Sequence, residues 1–161
     1  MSEGGKVIGE FQTMAQWAER LYALGEKAWC APIAEGKASI AEIMAHLLCW
    51  DQHLIDRAVP AVTRGEGIEF PAFDPFNADA YAYARSGISQ GQLLDEFRST
   101  REELCRLLVE LGEDKLRQHT TTGGVSFCPH TGSPYSLLYI VREFIDHDQH
   151  HRHQIESALI S

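Results

Sequence analysis

No stretch of this chain approaches the ~20 consecutive apolar residues of a membrane-spanning helix. Its first residues, Met1-Ser-Glu-Gly-Gly-Lys6, also lack the cationic-then-apolar order of a secretory leader, so a cytoplasmic protein is expected. Basic residues are scarce: 14 Lys and Arg stand against 23 Asp and Glu, a formal charge of −9 and a pI near 5.3. That balance leaves no electrostatic footprint for a nucleic-acid backbone or an anionic membrane, and points to small-molecule or protein partners. Cysteine is sparse as well. Cys30, Cys49, Cys105 and Cys128 form no C-x-x-C pair, which excludes a dense disulfide framework and fits reduced thiols. Cys49 and Cys105 read as small core residues. Gly-x-Gly-x-x-Gly and phosphate-loop patterns are absent, so nothing signals a nucleotide enzyme, and a serine hydrolase is not expected either.

What the chain does contain is helical periodicity. With 161 residues, 44% of them hydrophobic, and no low-complexity tract, it reads as one domain spanning residues 1–161. Phe11, Met14, Trp17, Ala18, Leu21 and Leu24 repeat at steps of three and four and predict a first helix over about 10–28. Ser39-Ile-Ala-Glu42 is a capping box ahead of an apolar run to about Arg57. Residues 60–76 hold three prolines and two glycines and read as a long connection, with Asn77 capping a short helix to Arg85. Ser89 and Gln92, with Ile88 stapled on Leu93, launch a helix to about Leu111, which Gly112 ends. Residues 118–132 read as a second loop, and Ser133-Pro134 as the start of a final helix. The fold class is therefore all-α, a four-helix bundle. Its long connection between the second and third helices allows those two to run parallel.

The last helix carries the chemistry. Ile140, Phe144, His147, His151, Ile155 and Ala158 form a continuous inward stripe, and His147 and His151 lie one turn apart on it, about 6 Å along the axis. Imidazoles facing a core need partners for both ring nitrogens, and a shared cation is one solution. The second helix brings a similar stripe of Ile43, His46, Trp50 and His53. In an antiparallel pair, His46, ~9 Å from its helix start, levels with the 147/151 midpoint, ~16 Å before the end of the other helix. His53 falls toward the wrong end. His46, His147 and His151 are thus the expected ligands of one divalent transition metal, zinc or nickel first and iron also compatible, with an open fourth position. His150 and His153 lie off the stripe, and His119 and His130 belong to the polar loop. Asp51, Asp146, Asp148 and Glu143 are close enough to orient imidazoles or act as bases, though acidic residues on helices usually form a solvated face.

These residues resemble a known family. Gly36 to Asp51, GKASIAEIMAHLLCWD, is similar to the "kWSi-x-ev-x-aHl-x-x-wD" segment of the DinB/YfiT-like metalloenzymes. His147-Asp-Gln-His-His-Arg-His-Gln-Ile155 is similar to that family's "H-x-x-HHRgQi" signature. The resemblance spans essentially the whole chain, with Ala38 in place of the usual Trp and His153 in place of a small residue. It implies an up-down-down-up four-helix bundle, often a homodimer, holding a divalent metal on the histidines matching His46, His147 and His151. It further implies a thiol-dependent S-transferase, in which a low-molecular-weight thiol such as bacillithiol, mycothiol or glutathione attacks small electrophiles.

A thiol reaching such an ion would lose its proton and become the nucleophile at neutral pH. The alternatives are a hydrolase using water activated by the same ion, and a non-catalytic metal-binding stress protein in which His53 or Cys49 closes the shell. A zincin protease is not expected, because Asp148 stands where Glu is required. A di-iron carboxylate bundle is excluded by the absence of Glu-x-x-His at these histidines.

Overall fold

The computed structural model describes residues 2–160. Ser2 caps α1 (Glu3–Trp17), its hydroxyl accepting from the Gly5 amide. The helix thus starts earlier than its apolar repeat predicts. Two glycines argue against helix by propensity, yet Gly4 is buried with its N–H on the Glu113 carboxylate, which a Cβ at that position would displace. After Trp17 the chain tightens into a 3-10 turn, Ala18–Ala23, and α2 (Glu26–Cys30) follows as a separate short helix. The single helix expected over 10–28 is therefore two, shifted toward the N-terminus.

The expected capping box opens α3 (Ile40–His53). The Ser39 hydroxyl accepts from Glu42 N at 3.0 Å and the Glu42 carboxylate accepts from Ser39 N at 2.9 Å. Helical backbone then runs on through a π turn, Leu54–Ala58, into α4 (Val59–Thr63), so Pro60 does not end the helix as the sequence reading held. In the wider turn the Val59 amide bonds Leu54 O, five residues back. This relieves the clash a proline ring imposes on regular α geometry, and Pro60 falls in the first turn of α4, where no amide is needed.

The crossover contains α5 (Phe73–Ala84), which starts before Asn77, so Asn77 is an interior residue and not a cap. Gly87 turns the chain at φ +99°, and Ser89 caps α6 (Gln90–Leu111). Gly112, at φ +90°, separates α6 from α7 (Glu113–Arg117). The following loop is pinned by isolated bridges, Ile68 to Thr122 and Phe127 to Pro134. Pro134 is held there, so Ser136 rather than Ser133 caps α8 (Leu137–Leu159).

Four long rods form the bundle: α1, the α3–α4 rod, α6 and α8. Antiparallel packing of α1 on α6 follows from Gly4 meeting Glu113, Phe11 meeting Arg101 and Glu19 meeting Arg98. The same sense of reasoning makes α1 and α8 parallel, since Glu3 pairs with Arg142 and Trp17 lies under Arg152. The α3–α4 rod runs parallel to α6 and opposite to α8. The order is up-down-down-up, with the crossover joining the two parallel rods.

The core divides in two. One cluster packs Val7, Ile8, Leu54, Val62, Leu104, Leu108 and Val141, and the other Met14, Met44, Leu47, Leu94, Phe97 and Ile155. Between them lies a buried polar layer. Among the described residues no helix is long and apolar enough to cross a membrane.

Candidate metal centre

Because α3 and α8 are antiparallel, their inward histidines meet at the level the helix arithmetic predicts. His46 Nε2 lies 3.1 Å from His147 Nε2, which lies 3.1 Å from His151 Nε2. All three nitrogens fall within 4.8 Å of one another, a group able to hold a metal ion. A tetrahedral zinc with bonds of about 2.0–2.1 Å sets its nitrogens about 3.3 Å apart, so the side chains need to move little to receive one.

The outer ring nitrogens decide the tautomers. His46 Nδ1 lies 2.8 Å from Asn77 Oδ1, and Trp50 Nε1 donates to the same oxygen at 3.0 Å. An indole N–H can only donate, so it fixes the oxygen end of the Asn77 amide toward both rings. His46 Nδ1 must then carry the proton, leaving an Nε2 lone pair. Gln154 Oε1 is placed 2.8 Å from His151 Nδ1, an arrangement that suits the same tautomer. Two lone pairs therefore converge on His147 Nε2, where one N–H cannot serve both fully. Such outer partners are how metal-ligating histidines are oriented.

Burial keeps the rings neutral. It lowers the pKa of His46 to about 4, with the nearby His151 adding to the effect and the Asn77 bond opposing it. Burial, then His151 and His46, lowers His147 to about 3, and burial also lowers His151. Neutral imidazoles are the form that donates to a metal.

The other histidines stay apart. His53 bonds the Glu69 carbonyl at 2.9 Å, while His119, His130, His150 and His153 are exposed. Cys49 is only half-buried and contributes no fourth ligand, the group stopping at three among the described residues.

The acidic residues depart from expectation. Asp51 and Asp148, read as solvated or imidazole-orienting, are buried on Arg101, itself fully enclosed. The guanidinium donates to Asp51 from Nε at 2.7 Å and Nη2 at 3.1 Å. It donates to Asp148 from Nη1 at 2.8 Å and Nη2 at 3.2 Å, and to Phe11 O from Nη1 at 2.8 Å. All five N–H groups are thereby engaged, and the cation stacks 3.8 Å from the Phe11 ring centroid. Burial raises Asp51 to about 6 against the pull of Arg101, and also raises Asp148. Burial opposes the Arg101 charge, but the two carboxylates more than offset it and raise its pKa.

The signal for this trio was present. Phe97, Arg101, Leu104 and Leu108 step by four, three and four, as do Leu47, Asp51, Leu54 and Ala58, placing each charge on an apolar stripe. A second signal also went unread: Gly87-Ile-Ser89-Gln-Gly91 has Gly-x-Ser-x-Gly spacing. Ser89 is nonetheless the cap of α6, its hydroxyl accepting from Gln92 N after a helical turn and not a strand, so no nucleophile elbow exists there.

His46 and His147 face a cavity of about 380 Å³, lined also by Trp50, Phe70, Phe73, Asn77, Tyr135 and Glu143. Phe70 and Phe73, from the connection and the first residue of α5, thus belong to its wall. Phe76 packs on Trp50, with ring centroids 4.1 Å apart.

A helical bundle whose facing rods present three neutral imidazoles to one point, beside a small-molecule cavity, has the architecture of a metal-site four-helix protein. The chain belongs to the DinB superfamily, whose family model matches residues 12–155. Comparison with curated protein sequences gives no significant match. Among solved structures it is similar to YfiT from Bacillus subtilis, described as a probable metal-dependent hydrolase with an unusual four-helix bundle topology. The TM-score is 0.71 at 14% identity, covering 98% of this chain and 87% of YfiT.

Proposed function

We propose that this protein is a divalent-metal-dependent hydrolase of small molecules, with His46, His147 and His151 as the metal ligands. The observation that carries the reading is the pair of Nε2 lone pairs, favoured by Asn77 and Gln154, converging beside a cavity. Bound there, a divalent ion supplies Lewis acidity, polarising a substrate carbonyl and bringing the pKa of water toward neutrality. The chain's own residues do the rest. Asn77 and Gln154 orient the His46 and His151 rings, and Trp50, Phe70 and Phe144 give the reacting group an apolar wall. YfiT's description as a probable metal-dependent hydrolase agrees with this reading.

Transfer to a low-molecular-weight thiol, implied by the resemblance, has less support. Glutathione and its counterparts carry carboxylates or sugars, yet no lysine or arginine lines the cavity. A non-catalytic structural metal is supported least, because two ligands open onto a cavity instead of a closed fourth side chain.

The test is metal content by elemental mass spectrometry on wild type, His46→Ala and His147→Ala, followed by turnover of small esters and amides with and without added thiol. About one transition-metal ion per chain, lost in both variants with helicity kept, and turnover without thiol are expected. Metal-free wild type that refuses added zinc and nickel overturns the proposal, and turnover strictly dependent on thiol replaces hydrolysis with transfer.

A further inference from the structure

The cavity beside the histidines has one charged group and no cation paired with it. Glu143 lines it, one turn before His147 on the same face of α8, about 6 Å along the helix axis. Apart from the histidines it is the only ionisable side chain there short of Tyr135. The surrounding walls are the rings of Trp50, Phe70, Phe73, Tyr135 and Phe144.

Among the described residues no lysine or arginine forms an ion pair with Glu143. Its neighbour Arg142 reaches away to Glu3 at 3.2 Å. The contacts Glu143 does make are with Cys128 Sγ at 3.9 Å and with the Tyr139 hydroxyl, neither of them a cation. A carboxylate without a cation, at the edge of an aromatic enclosure, is the arrangement by which proteins select amines and quaternary ammonium groups. The ring faces attract positive charge and the carboxylate completes the field. The chain's −9 charge works in the same direction by raising the local concentration of cations.

We propose that the cavity takes small apolar molecules carrying a positively charged amine, with Glu143 as the residue that recognises the charge. Resting on the reading of this cavity as the substrate site, the proposal narrows the substrate class to amine-bearing esters or amides. In these the nitrogen cation lies about 6 Å from the group presented to the histidines, the spacing of one helical turn. An acidic substrate of the same size is excluded by repulsion from Glu143.

The experiment is calorimetric titration with phenethyltrimethylammonium and its neutral tert-butyl carbon isostere, which share a shape and differ in charge, neither able to coordinate a metal. Both are titrated into wild type and Glu143→Gln, each metal-free and zinc-treated, with zinc stoichiometry measured alongside. The cation is expected to bind wild type about tenfold more tightly than the isostere, and Glu143→Gln to abolish that preference while leaving isostere affinity unchanged. Equal binding of the two probes by wild type, or a preference that survives in Glu143→Gln, overturns the proposal. Failure of zinc to bind counts against the metal reading alone, since charge selectivity is read equally in metal-free protein. Because wild type by itself gives a decisive result, the test does not depend on the variant folding.

Discussion

Two polar clusters share the middle of the bundle and were built on opposite plans. On α8 they are adjacent residues, His147 and Asp148, and on α3 they are His46 and Asp51. The Asp51–Arg101–Asp148 trio is finished within the chain, with every guanidinium N–H placed. The histidine trio is finished on the outer side of His46 and His151, where Asn77 and Gln154 take Nδ1, and unfinished on its inner side, where three Nε2 atoms face one another. The difference teaches that one polar layer can hold both a fastening and a socket. Arg101 ties α3 and α8 to α6 within about a turn and a half of each proposed ligand, and so fixes the gap across which the histidines face one another.

The largest effect is expected from breaking the finished cluster. Arg101→Met leaves two enclosed carboxylates without a cation, a change that costs about 3–5 kcal/mol, and the urea midpoint of metal-free protein should fall accordingly. A midpoint within error of wild type would show that Arg101 does not fasten the rods. Completing the unfinished cluster should do the reverse. Saturating zinc at a hundredfold above its dissociation constant should add about 2.7 kcal/mol to wild type and nothing to His147→Ala, as read by thermal unfolding with and without chelator. An equal gain in both proteins would place the zinc elsewhere.

A smaller effect is expected one bond further out. Asn77→Leu removes the acceptor that sets the His46 tautomer, and should weaken zinc binding about 10–100-fold without changing its stoichiometry. Competition against a chromophoric chelator measures this, and unchanged affinity would leave Asn77 a packing role only.

The smallest effect is a difference in acid response. With His46 and His147 lowered to about 4 and 3, the unfolded metal-free chain takes up protons first as pH falls below about 6.5. Those rings therefore lose the folded state stability from there down to about pH 4 for His46 and about pH 3 for His147. Asp51, raised to about 6, acts with the opposite sign: the folded state binds its proton first, and stability rises as pH falls through 6 toward the unfolded value. Removing both imidazoles in His46→Ala/His147→Ala should leave only His151, lowered by its burial, to oppose the Asp51 contribution. The variant should gain on wild type as pH falls from 6.5 to 4 in paired denaturant titrations, and a difference independent of pH would refute the assignment.

Much of this was legible in the sequence because it rests on local rules. The Ser39–Glu42 box set the start of α3, and the four-residue step of His147 and His151 put both rings on one face. Simple rise per residue then levelled His46 with them. What was missed depends on contacts distant in sequence. Asn77 sits in a proline-rich tract and meets His46 thirty-one positions away, so its amide read as a cap. Asp51 and Asp148 read as solvated because the partner that permits their burial lies on a third helix. Pro60 read as a stop because a π turn leaves no mark in apolar spacing.

The Trp50 contact has an optical consequence. Its indole N–H ends on the same oxygen that holds His46, so the chromophore is one atom removed from a proposed ligand's outer nitrogen. A metal held by His46 would polarise that imidazole, and the change would pass through Asn77 to the indole. With metal at the proposed site, the protein would carry an intrinsic emission reporter of its occupation, distinguishable from Trp17 and Trp29 by its loss in Trp50→Phe.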